Sequence, residues 1–425
     1  MDKIRIQGGT PLKGEIPISA AKNAALKLMT ASLLTEGKLV LRPVPDLRDT
    51  TTLRKILAGL GAAIDYDTNT KVLTIEAKNL TSHEAPYDLV RQMRASILVL
   101  GPLTARLGEA KVSLPGGCAI GARPVDMHLS GLEQMGATIT LEEGYVHARA
   151  PADGLKGAHI HFRCVSVGAT EHLMMTATLA KGTTTLVNAA REPEIIDLGH
   201  GLIAMGAEIE GLGTDTITIH GKPELHGTEH TIVGDRIEAG TYAIAAAMTG
   251  GPLKLTGINI AHLEYLIEPL HLAGADMIGD ENSIIVRRTR DALRGVDIMT
   301  EPYPGFPTDL QAQFMAMLTT CEGAGMITET IFENRFMHVP ELTRMGANIT
   351  VHGSSALVRG VPKLKGAPVM ATDLRASVSL VLAGLVAEGT TTVHRIYHLD
   401  RGYEDIIGKL TKVGAKMERL HDEAA

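Results

Sequence analysis

Apolar and polar positions follow one recurring pattern along this chain. An amphipathic stretch with helical spacing ends at a Gly-Ala pair, and a short segment of alternating apolar and polar residues comes next, as at residues 138–141. Glycine after an amphipathic stretch is typical of a helix C-terminus, and alternation is typical of a half-buried strand. The pattern occurs six times, at Gly61-Ala62, Gly136-Ala137, Gly206-Ala207, Gly274-Ala275, Gly346-Ala347 and Gly414-Ala415.

The spacing between successive pairs is roughly 70 residues, which predicts repeated supersecondary units. Upstream of each pair, a helix rich in small residues is followed by a glycine, a strand and a second helix. The Gly-Thr-Thr-Thr strands at residues 182–186 and 389–393 match one another in this scheme. Helices that alternate with strands predict an α/β fold, and six units divide naturally into two lobes of three.

Two segments have the character of joints between lobes. The polar, glycine-containing stretch at residues 226–234 separates the third unit from the fourth, and a second crossing is expected near residues 19–22. Residues 1–10 alternate like an edge strand and lack the apolar core of a signal peptide.

Composition excludes several classes of protein. Of the 425 residues, 44% are hydrophobic and 21% are charged, which is typical of a soluble globular protein. A net charge of -7 and an aromatic share of 3% argue against nucleic-acid binding, which needs a basic surface and stacking platforms. We therefore expect no nucleic acid as partner. Because no apolar run approaches membrane-spanning length, we expect no membrane as partner either.

The three cysteines include no C-x-x-C pair, which argues against a disulfide framework and a zinc site and favours a reducing cytoplasm. His159 and His161 have the spacing of strand neighbours, so we expect no bound metal. The sequence gives no sign of a cofactor or of an obligate protein partner.

Cys118 lies in a stretch of unusual chemistry, Leu114-Pro-Gly-Gly-Cys-Ala-Ile-Gly-Ala-Arg-Pro124. Its flanking glycines and prolines predict a loop, and the permanent charge of Arg123 favours both a thiolate and a bound anion. We therefore expect Cys118 to be reactive. The alternative is a buried cysteine that acts as a small hydrophobe, an interpretation that suits Cys164 and Cys321.

Several cations stand at predicted helix N-termini, where the backbone is already partly positive and a bound anion would be favoured. Pro124 suits the first position of the helix that follows Arg123. For any single arginine the alternative is a surface ion pair with Asp373, Asp400 or Glu333. The cations in these equivalent positions are Lys22, Arg94, Arg123, Arg335, Arg375 and Arg401.

Asp309 follows Pro307 and Thr308 at another predicted helix start. Its ordinary role there is a favourable first-turn carboxylate. Among clustered arginines it is also a candidate general base, since neighbouring cations keep it ionised. Asn23 is equally compatible with a solvated helix position.

The chain resembles the enolpyruvyl transferases over essentially its whole length. The resemblance implies two inside-out α/β barrel-like lobes of three units each. It also implies that lobe 1 covers residues 22–233 and lobe 2 covers residues 1–21 plus 234–425. The matching motifs are Ser19-Ala-Ala-Lys-Asn-Ala-Ala, Met93-Arg-Ala-Ser, Pro115-Gly-Gly-Cys-Ala-Ile-Gly-Ala-Arg-Pro-Val-Asp, Val165-Ser-Val-Gly-Ala-Thr, Phe306-Pro-Thr-Asp-Leu-Gln-Ala-Gln, Glu329-Thr-Ile-Phe-Glu-Asn-Arg-Phe-Met-His and Asp373-Leu-Arg-Ala-Ser.

The activity that the resemblance implies is transfer of the enolpyruvyl group of phosphoenolpyruvate to the 3-hydroxyl of UDP-N-acetylglucosamine. Phosphate leaves by addition and elimination, without a cofactor, in the first committed step of peptidoglycan synthesis for cell-wall growth and division. Cys118 would protonate the methylene carbon and could also form a covalent thioketal, so fosfomycin sensitivity is expected. Asp309 would take the hydroxyl proton, and Lys22 would also be catalytic.

The resemblance also assigns binding residues in this chain. Lys22, Arg123 and Arg401 match the cations on the phosphate, while Arg335 and Arg375 match those on the carboxylate, with Asn23 and Arg94 close by. The positions expected to contact the nucleotide sugar are Asn23, Arg94, Arg123, Pro124, Val125, Asp126, Met127, Ser166, Val167, Gly168, Asp309 and Ile331.

One departure concerns the nucleotide site. Many relatives have a lysine immediately before Val-Ser-Val-Gly, whereas this chain has Arg163 and then Cys164. The diphosphate would then be held less directly unless Arg163 replaces that ammonium group.

Two other functions remain alternatives at this point. A shikimate-pathway enolpyruvyl transferase would share the architecture but lack a cysteine in the loop. A non-catalytic repeat protein that binds anions would keep the Gly-Ala pairs without needing Cys118 and Asp309.

Overall fold

The computed structural model describes residues 2–91, 93–114 and 125–421. These residues form two compact units. Lobe 1 consists of the described residues between Ala20 and Val233, and lobe 2 consists of residues 2–19 and 234–421. The chain therefore passes between the units after Ser19 and again after Val233. Cys118, Arg123 and Pro124 lie outside the described residues.

The α-helices in the described ranges are α1 (Lys22–Ala31), α2 (Arg48–Gly59), α3 (Tyr87–Val90), α4 (Leu100–Leu107), α5 (Asp126–Gln134), α6 (Val167–Ala177), α7 (Pro193–Ala204), α8 (Arg236–Thr249), α9 (Glu264–Ala273), α10 (Gln311–Leu318), α11 (Val339–Arg344), α12 (Leu374–Val386) and α13 (Ile406–Lys412).

The strands in the same ranges are β1 (Lys3–Gln7), β2 (Gly14–Pro17), β3 (Lys38–Arg42), β4 (Ala63–Asp67), β5 (Val72–Glu76), β6 (Glu84–Ala85), β7 (Glu109–Ser113), β8 (Thr138–Glu142), β9 (Tyr145–Arg149), β10 (His159–His161), β11 (Thr183–Val187), β12 (Glu208–Glu210), β13 (Thr216–His220), β14 (Thr228–Thr231), β15 (Leu253–Thr256), β16 (Ala275–Gly279), β17 (Ser283–Arg288), β18 (Ile298–Met299), β19 (Ala324–Thr328), β20 (Asn348–His352), β21 (Ser355–Arg359), β22 (Pro368–Met370), β23 (Thr390–His394) and β24 (Lys416–Leu420).

Every described sheet has four strands arranged in the same way. In lobe 1 the strand orders are β14-β3-β5-β4, β6-β7-β9-β8 and β10-β11-β13-β12. The first two strands of each sheet run parallel and the remaining neighbours are antiparallel, as β10, β11 and β13 illustrate. Helix α6 joins the parallel strands β10 and β11, because a parallel pair needs a crossover connection. The predicted repeated α/β organisation is therefore confirmed.

Lobe 2 repeats this arrangement in the sheets β2-β15-β17-β16, β18-β19-β21-β20 and β22-β23-β1-β24. Strand β1 pairs with β23 on one side and β24 on the other. The prediction of an edge strand at the N-terminus was therefore wrong. Alternation buries Ile4 and Ile6 as expected, but alternation alone does not reveal whether one or both strand edges are paired.

Helices form the centre of each lobe, and the sheets form its outer layer. In lobe 2, α8, α10 and α12 pack against one another, and almost every residue of these helices is buried. In lobe 1, α4 packs against the largely buried α6. Helices with small and apolar residues on all sides are stable only inside such a core. This is the inside-out arrangement that the resemblance to the enolpyruvyl transferases implied.

The six glycines of the Gly-Ala pairs all have positive φ, between 94° and 110°. At the first pair, the amides of Gly61 and Ala62 donate to the carbonyls of Ala58 and Leu57. Glycine favours this left-handed conformation because it has no Cβ, and the bonds satisfy carbonyls at the end of α2. The predicted helix termini are confirmed in each unit.

Among the helices of the described residues, none combines the length and the apolar character that crossing a membrane requires.

Candidate active site

Asp309 accepts a hydrogen bond from a different arginine on each of its carboxylate oxygens. The Nη2 atom of Arg335 lies 2.7 Å from Oδ1, and the Nη2 atom of Arg375 lies 2.8 Å from Oδ2. Asp309 itself belongs to a short 3₁₀ turn, Thr308–Leu310, that leads into α10. The structure therefore brings three of the predicted site residues of lobe 2 into direct contact.

Helix α12 positions Arg375. The side chain of Asp373 caps this helix by accepting from the amides of Arg375 and Ala376, at 2.8 and 3.0 Å. The carboxylate of Asp373 thus satisfies backbone donors, and the Arg375 guanidinium turns into the lobe, where its side chain is only 8% exposed. The alternative of a surface ion pair with Asp373 was therefore wrong for this arginine.

Arg335 lies in the turn that precedes α11, and its side chain is 6% exposed. Its Nη1 atom donates to Thr308 Oγ1 at 2.8 Å, so neighbouring residues of one turn bind the two ends of its guanidinium. A planar guanidinium held at both ends has a fixed orientation.

These contacts set the protonation state of Asp309. Burial alone would raise the pKa of this carboxyl, but the charges and hydrogen bonds of Arg375 and Arg335 hold the pKa well below its usual range. Asp309 is therefore ionised in this state and able to accept a proton only as a weak base.

Tyr403 lies behind Arg375. Its hydroxyl accepts from Arg375 Nη1 at 3.3 Å and is 2.8 Å from Thr241 Oγ1. Burial raises the pKa of Tyr403, so its hydroxyl stays protonated. Tyr403 gives the second end of the Arg375 guanidinium a neutral partner.

Arg401 does not open a helix, contrary to the prediction. It is the last residue of the 3₁₀ segment Ile396–Arg401, and α13 begins only at Ile406. Asp405 caps α13 by accepting from the Gly408 amide at 3.0 Å, which moves the helix start past Arg401. Asp400, the expected ion-pair partner of Arg401, instead binds Arg419 through both oxygens, at 3.0 and 2.8 Å.

In lobe 1, Lys22 is the first residue of α1 and Asn23 the second, as predicted. The Nζ atom of Lys22 lies 3.0 Å from Oδ2 of Asp49, which is buried. This contact fixes the position of a predicted catalytic cation.

Arg94 opens a 3₁₀ segment, Arg94–Val99, that continues into α4. Together with burial, its charge lowers the pKa of His128 on α5 to about 4, so His128 is neutral at physiological pH. Helix α5 begins at Asp126 with Val125 as its N-cap. The first helical position predicted for Pro124 is therefore occupied by Asp126.

The predicted nucleotide-contact residues of α6 stand at its N-terminus. Ser166 caps the helix by accepting from the Ala169 amide at 3.3 Å, and Val167 and Gly168 open it. A Cβ atom at Gly168 would lie 3.3 Å from the His128 ring, so the missing side chain lets α6 approach α5 closely.

Arg163 and Cys164 precede α6 in an exposed segment. Arg163 Nη1 lies 2.6 Å from Asp126 Oδ2, so the guanidinium contacts a residue expected to touch the nucleotide sugar. Cys164 is exposed, and its sulfur lies 4.0 Å from that of Met127. The interpretation of Cys164 as a buried hydrophobe was wrong. That interpretation holds for Cys321, whose burial raises the pKa of its thiol to about 12.

The chain is similar in sequence to the proteins of a known family. Residues 6–410 match the family described as EPSP synthase (3-phosphoshikimate 1-carboxyvinyltransferase). The chain is 63% identical to the UDP-N-acetylglucosamine 1-carboxyvinyltransferase of Rhodospirillum centenum, over 99% of this chain and 100% of the relative. It is 62% identical to the Acidiphilium cryptum protein of the same name, with the same coverage. The chain belongs to the enolpyruvyl transferase family.

Solved structures agree with this membership. The enolpyruvyl transferase NikO from Streptomyces tendae is 27% identical, with a TM-score of 0.87 over 99% of each chain. EPSP synthase from Acinetobacter baumannii is 19% identical, with a TM-score of 0.76 over 99% of this chain and 100% of that one. The second likeness concerns the fold alone.

Sequence reasoning missed several residues of this enolpyruvyl transferase site. Thr308, Glu329 and Tyr403 all contact the Asp309–arginine cluster or its immediate neighbours. Glu329 could have been noticed as an acidic residue directly after the apolar strand β19. Among the described residues, no cluster of three or more His, Cys, Asp or Glu side chains is arranged to hold a metal ion.

Proposed function

We propose that this chain transfers the enolpyruvyl group of phosphoenolpyruvate to the 3-hydroxyl of UDP-N-acetylglucosamine and releases phosphate. The observation that carries the proposal is 57–63% identity, over essentially the full length, to relatives named UDP-N-acetylglucosamine 1-carboxyvinyltransferase. The Asp309–Arg335–Arg375 cluster supports it, because it combines a carboxylate base with two carboxylate-binding cations.

The arginines provide the binding chemistry for an acid substrate. A guanidinium binds carboxylates through paired N–H donors, and Arg335 and Arg375 are both buried and oriented by neighbours. The carboxylate of phosphoenolpyruvate competes with Asp309 for these donors. As it takes them, Asp309 loses the contacts that depress its pKa and becomes a stronger base.

Proton balance then assigns the remaining steps. Asp309 takes the proton of the sugar 3-hydroxyl while the sugar 3-oxygen forms a bond to C2 of phosphoenolpyruvate, and C3 gains a proton to become a methyl. The tetrahedral ketal then loses a proton from C3 and phosphate from C2, which restores the double bond. Proton transfer by positioned groups of this kind contributes about 10²- to 10⁴-fold to a rate.

Cys118 is the proposed donor of the proton to C3 and the site of a covalent thioketal. This role rests on the sequence, where Arg123 follows a glycine-framed thiol. Lys22, Arg123 and Arg401 are the proposed phosphate ligands. Asn23, Arg94, residues 123–127 and residues 166–168 are the proposed contacts of the nucleotide sugar, together with Asp309 and Ile331 from lobe 2.

The biological setting follows from this reaction. Its product is a precursor of peptidoglycan, so we place the enzyme in cell-wall synthesis, in the cytoplasm, as a target of fosfomycin through Cys118. The reaction uses no cofactor in this proposal.

The main rival is the shikimate-pathway reaction, whose name describes the matched family. Two observations favour the nucleotide sugar. The relatives at 57–63% identity carry the nucleotide-sugar name, and the chain has Cys118 in the loop where the shikimate enzymes lack a cysteine. A non-catalytic anion-binding protein would have no need for a half-buried carboxylate that binds two arginines.

Phosphate release tests the proposal. We expect release that requires both phosphoenolpyruvate and UDP-N-acetylglucosamine, and none when shikimate 3-phosphate replaces the nucleotide sugar. Release with shikimate 3-phosphate, or release that needs only one of the two substrates, would overturn the assignment.

A further inference from the structure

Glu329 lies at the end of β19, is 2% exposed, and is not one of the residues assigned to the reaction. Its two carboxylate oxygens accept four hydrogen bonds. Oε1 accepts from Thr300 Oγ1 at 2.9 Å and from the amides of Ile331 and Phe332 at 2.9 and 3.0 Å, and Oε2 accepts from Thr308 Oγ1 at 2.9 Å. A buried carboxylate is stable only with such partners, and here both oxygens have them.

These donors come from separate segments of lobe 2. Thr300 follows β18, Thr308 directly precedes Asp309, and Ile331 and Phe332 belong to the turn that leads to Arg335. One carboxylate therefore ties the turn that carries the base to the turn that carries one of its arginines.

Thr308 connects Glu329 to the active-site cations. Its hydroxyl donates to Glu329 Oε2, which leaves the oxygen free to accept from Arg335 Nη1 at 2.8 Å. Arg335 in turn donates to Asp309 Oδ1 at 2.7 Å. A carboxylate can only accept and a guanidinium can only donate, so the Thr308 hydroxyl must donate to Glu329 and accept from Arg335.

We infer that Glu329 is a positioning residue for the enolpyruvyl transfer, acting through the Thr308 hydroxyl to orient Arg335 toward the carboxylate of the acid substrate. The inference rests on the proposed function, because it assigns the Arg335 guanidinium to that carboxylate. Glu329 does not itself touch the reacting atoms in this account.

The chain offers a matched pair of variants. Thr300 and Thr308 each donate one hydroxyl to Glu329, but only Thr308 contacts Arg335. Valine has nearly the shape of threonine and lacks the hydroxyl. Thr308→Val therefore breaks the chain to Arg335, whereas Thr300→Val removes a bond to the same carboxylate and leaves that chain intact.

For Thr308→Val we expect the KM and Kd for phosphoenolpyruvate to rise about tenfold or more, with the KM for UDP-N-acetylglucosamine unchanged. Thr308→Ser, which keeps the oxygen, should restore both values. Thr300→Val should leave these constants near those of the unaltered chain and should instead lower the melting temperature. The buried Thr300 hydroxyl also accepts from the Thr330 amide at 2.9 Å, and that amide would lose its partner.

Glu329→Gln gives an independent measurement. The amide turns one acceptor into a donor, so it reverses the contact with Thr308, and we expect the same rise in the constants for phosphoenolpyruvate. If Glu329→Gln does not fold, the threonine pair alone decides the question.

Steady-state kinetics test the proposed function, and calorimetric binding of phosphoenolpyruvate tests the positioning role of Glu329 separately. Absence of turnover by the unaltered chain would remove the proposed function, and the Kd of phosphoenolpyruvate would still test the inference. Equal effects of Thr308→Val and Thr300→Val on that Kd, or no effect of Thr308→Val, would overturn the positioning role.

Discussion

Asp309 already holds both arginines that we assign to the substrate carboxylate. One oxygen binds Arg335 and the other binds Arg375. The same contacts depress its pKa, so the residue is a poor base until a second carboxylate takes its partners. In the proposed function, substrate binding and activation of the base would both result from a single exchange of hydrogen bonds.

Asp309→Asn tests this exchange through binding rather than rate. Removing the negative charge frees both guanidinium groups, so we expect phosphoenolpyruvate to bind about tenfold more tightly, while turnover falls by about 10² or more. Calorimetry in a Cys118→Ser background would measure the Kd without adduct formation.

The matched control for this variant is Asp280→Asn. Asp280 is an exposed residue of lobe 2 whose carboxylate accepts from the amides of Asn282 and Ser283 at 2.8 Å each, and it should leave the Kd unchanged. An Asp309→Asn protein that binds phosphoenolpyruvate no better than Asp280→Asn would show that Asp309 does not compete for the arginines.

The two described cysteines, Cys164 and Cys321, differ in exposure, and this difference decides what a labelling experiment can show. Cys321 is buried with a raised pKa and should be unreactive, whereas Cys164 is exposed and open to the same reagents as Cys118. Labelling alone therefore cannot identify the catalytic thiol. We expect Cys118→Ser to remove most turnover and Cys164→Ser to retain it; similar activities in the two variants would refute the role of Cys118.

At the scale of the element, the glycine that follows the second helix of each unit sets the turn between that helix and the next strand. Two of these glycines separate backbone strain from crowding. At Gly346, φ is +94° and a Cβ atom would meet nothing within 4 Å, whereas at Gly61 it would meet Asn79 O and Thr81 N at 2.7 Å.

Alanine substitution at these two positions should therefore have unequal effects. Gly346→Ala should cost about 1–2 kcal/mol from the left-handed backbone alone, and Gly61→Ala should cost more. Thermal unfolding of the two variants would measure the difference. Equal losses would mean that crowding at Gly61 is relieved by local movement.

The elements also show what the sequence could predict. The Gly-Ala pairs gave the repeat and the helix ends because a glycine C-terminus is a local signal. The interior position of β1 depended on pairing with β23 and β24, which are nearly the whole chain length away, so alternation could not predict it.

The candidate site was also only partly predictable from the sequence. Asp309, Arg335 and Arg375 could be named from their places in the repeats. The start of α13 after Arg401 depended on the cap by Asp405, and two of the contacts of Glu329 depended on Thr300 and Thr308, which lie in separate segments. Side-chain partners of this kind appear only once the turns are placed in space.

At the scale of the whole molecule, two lobes of the same three-unit design carry different parts of the proposed chemistry. Lobe 2 carries Asp309 and its arginines, and lobe 1 carries Lys22, Arg94 and the N-terminus of α6. Of the cations predicted at equivalent helix starts, Lys22 and Arg375 do lie in the first turn of a helix, in α1 and α12. Asp49 contacts Lys22 and Asp309 contacts Arg375, and these carboxylates hold the two cations in place.

The most direct measurement offers both acceptors to the enzyme at once. The purified chain is incubated with phosphoenolpyruvate and equal amounts of UDP-N-acetylglucosamine and shikimate 3-phosphate, and NMR identifies the acceptor that gains the enolpyruvyl ether. We expect the ether on the 3-oxygen of the nucleotide sugar, with shikimate 3-phosphate unchanged. An enolpyruvyl ether on shikimate 3-phosphate, or no ether on either acceptor, would contradict the account.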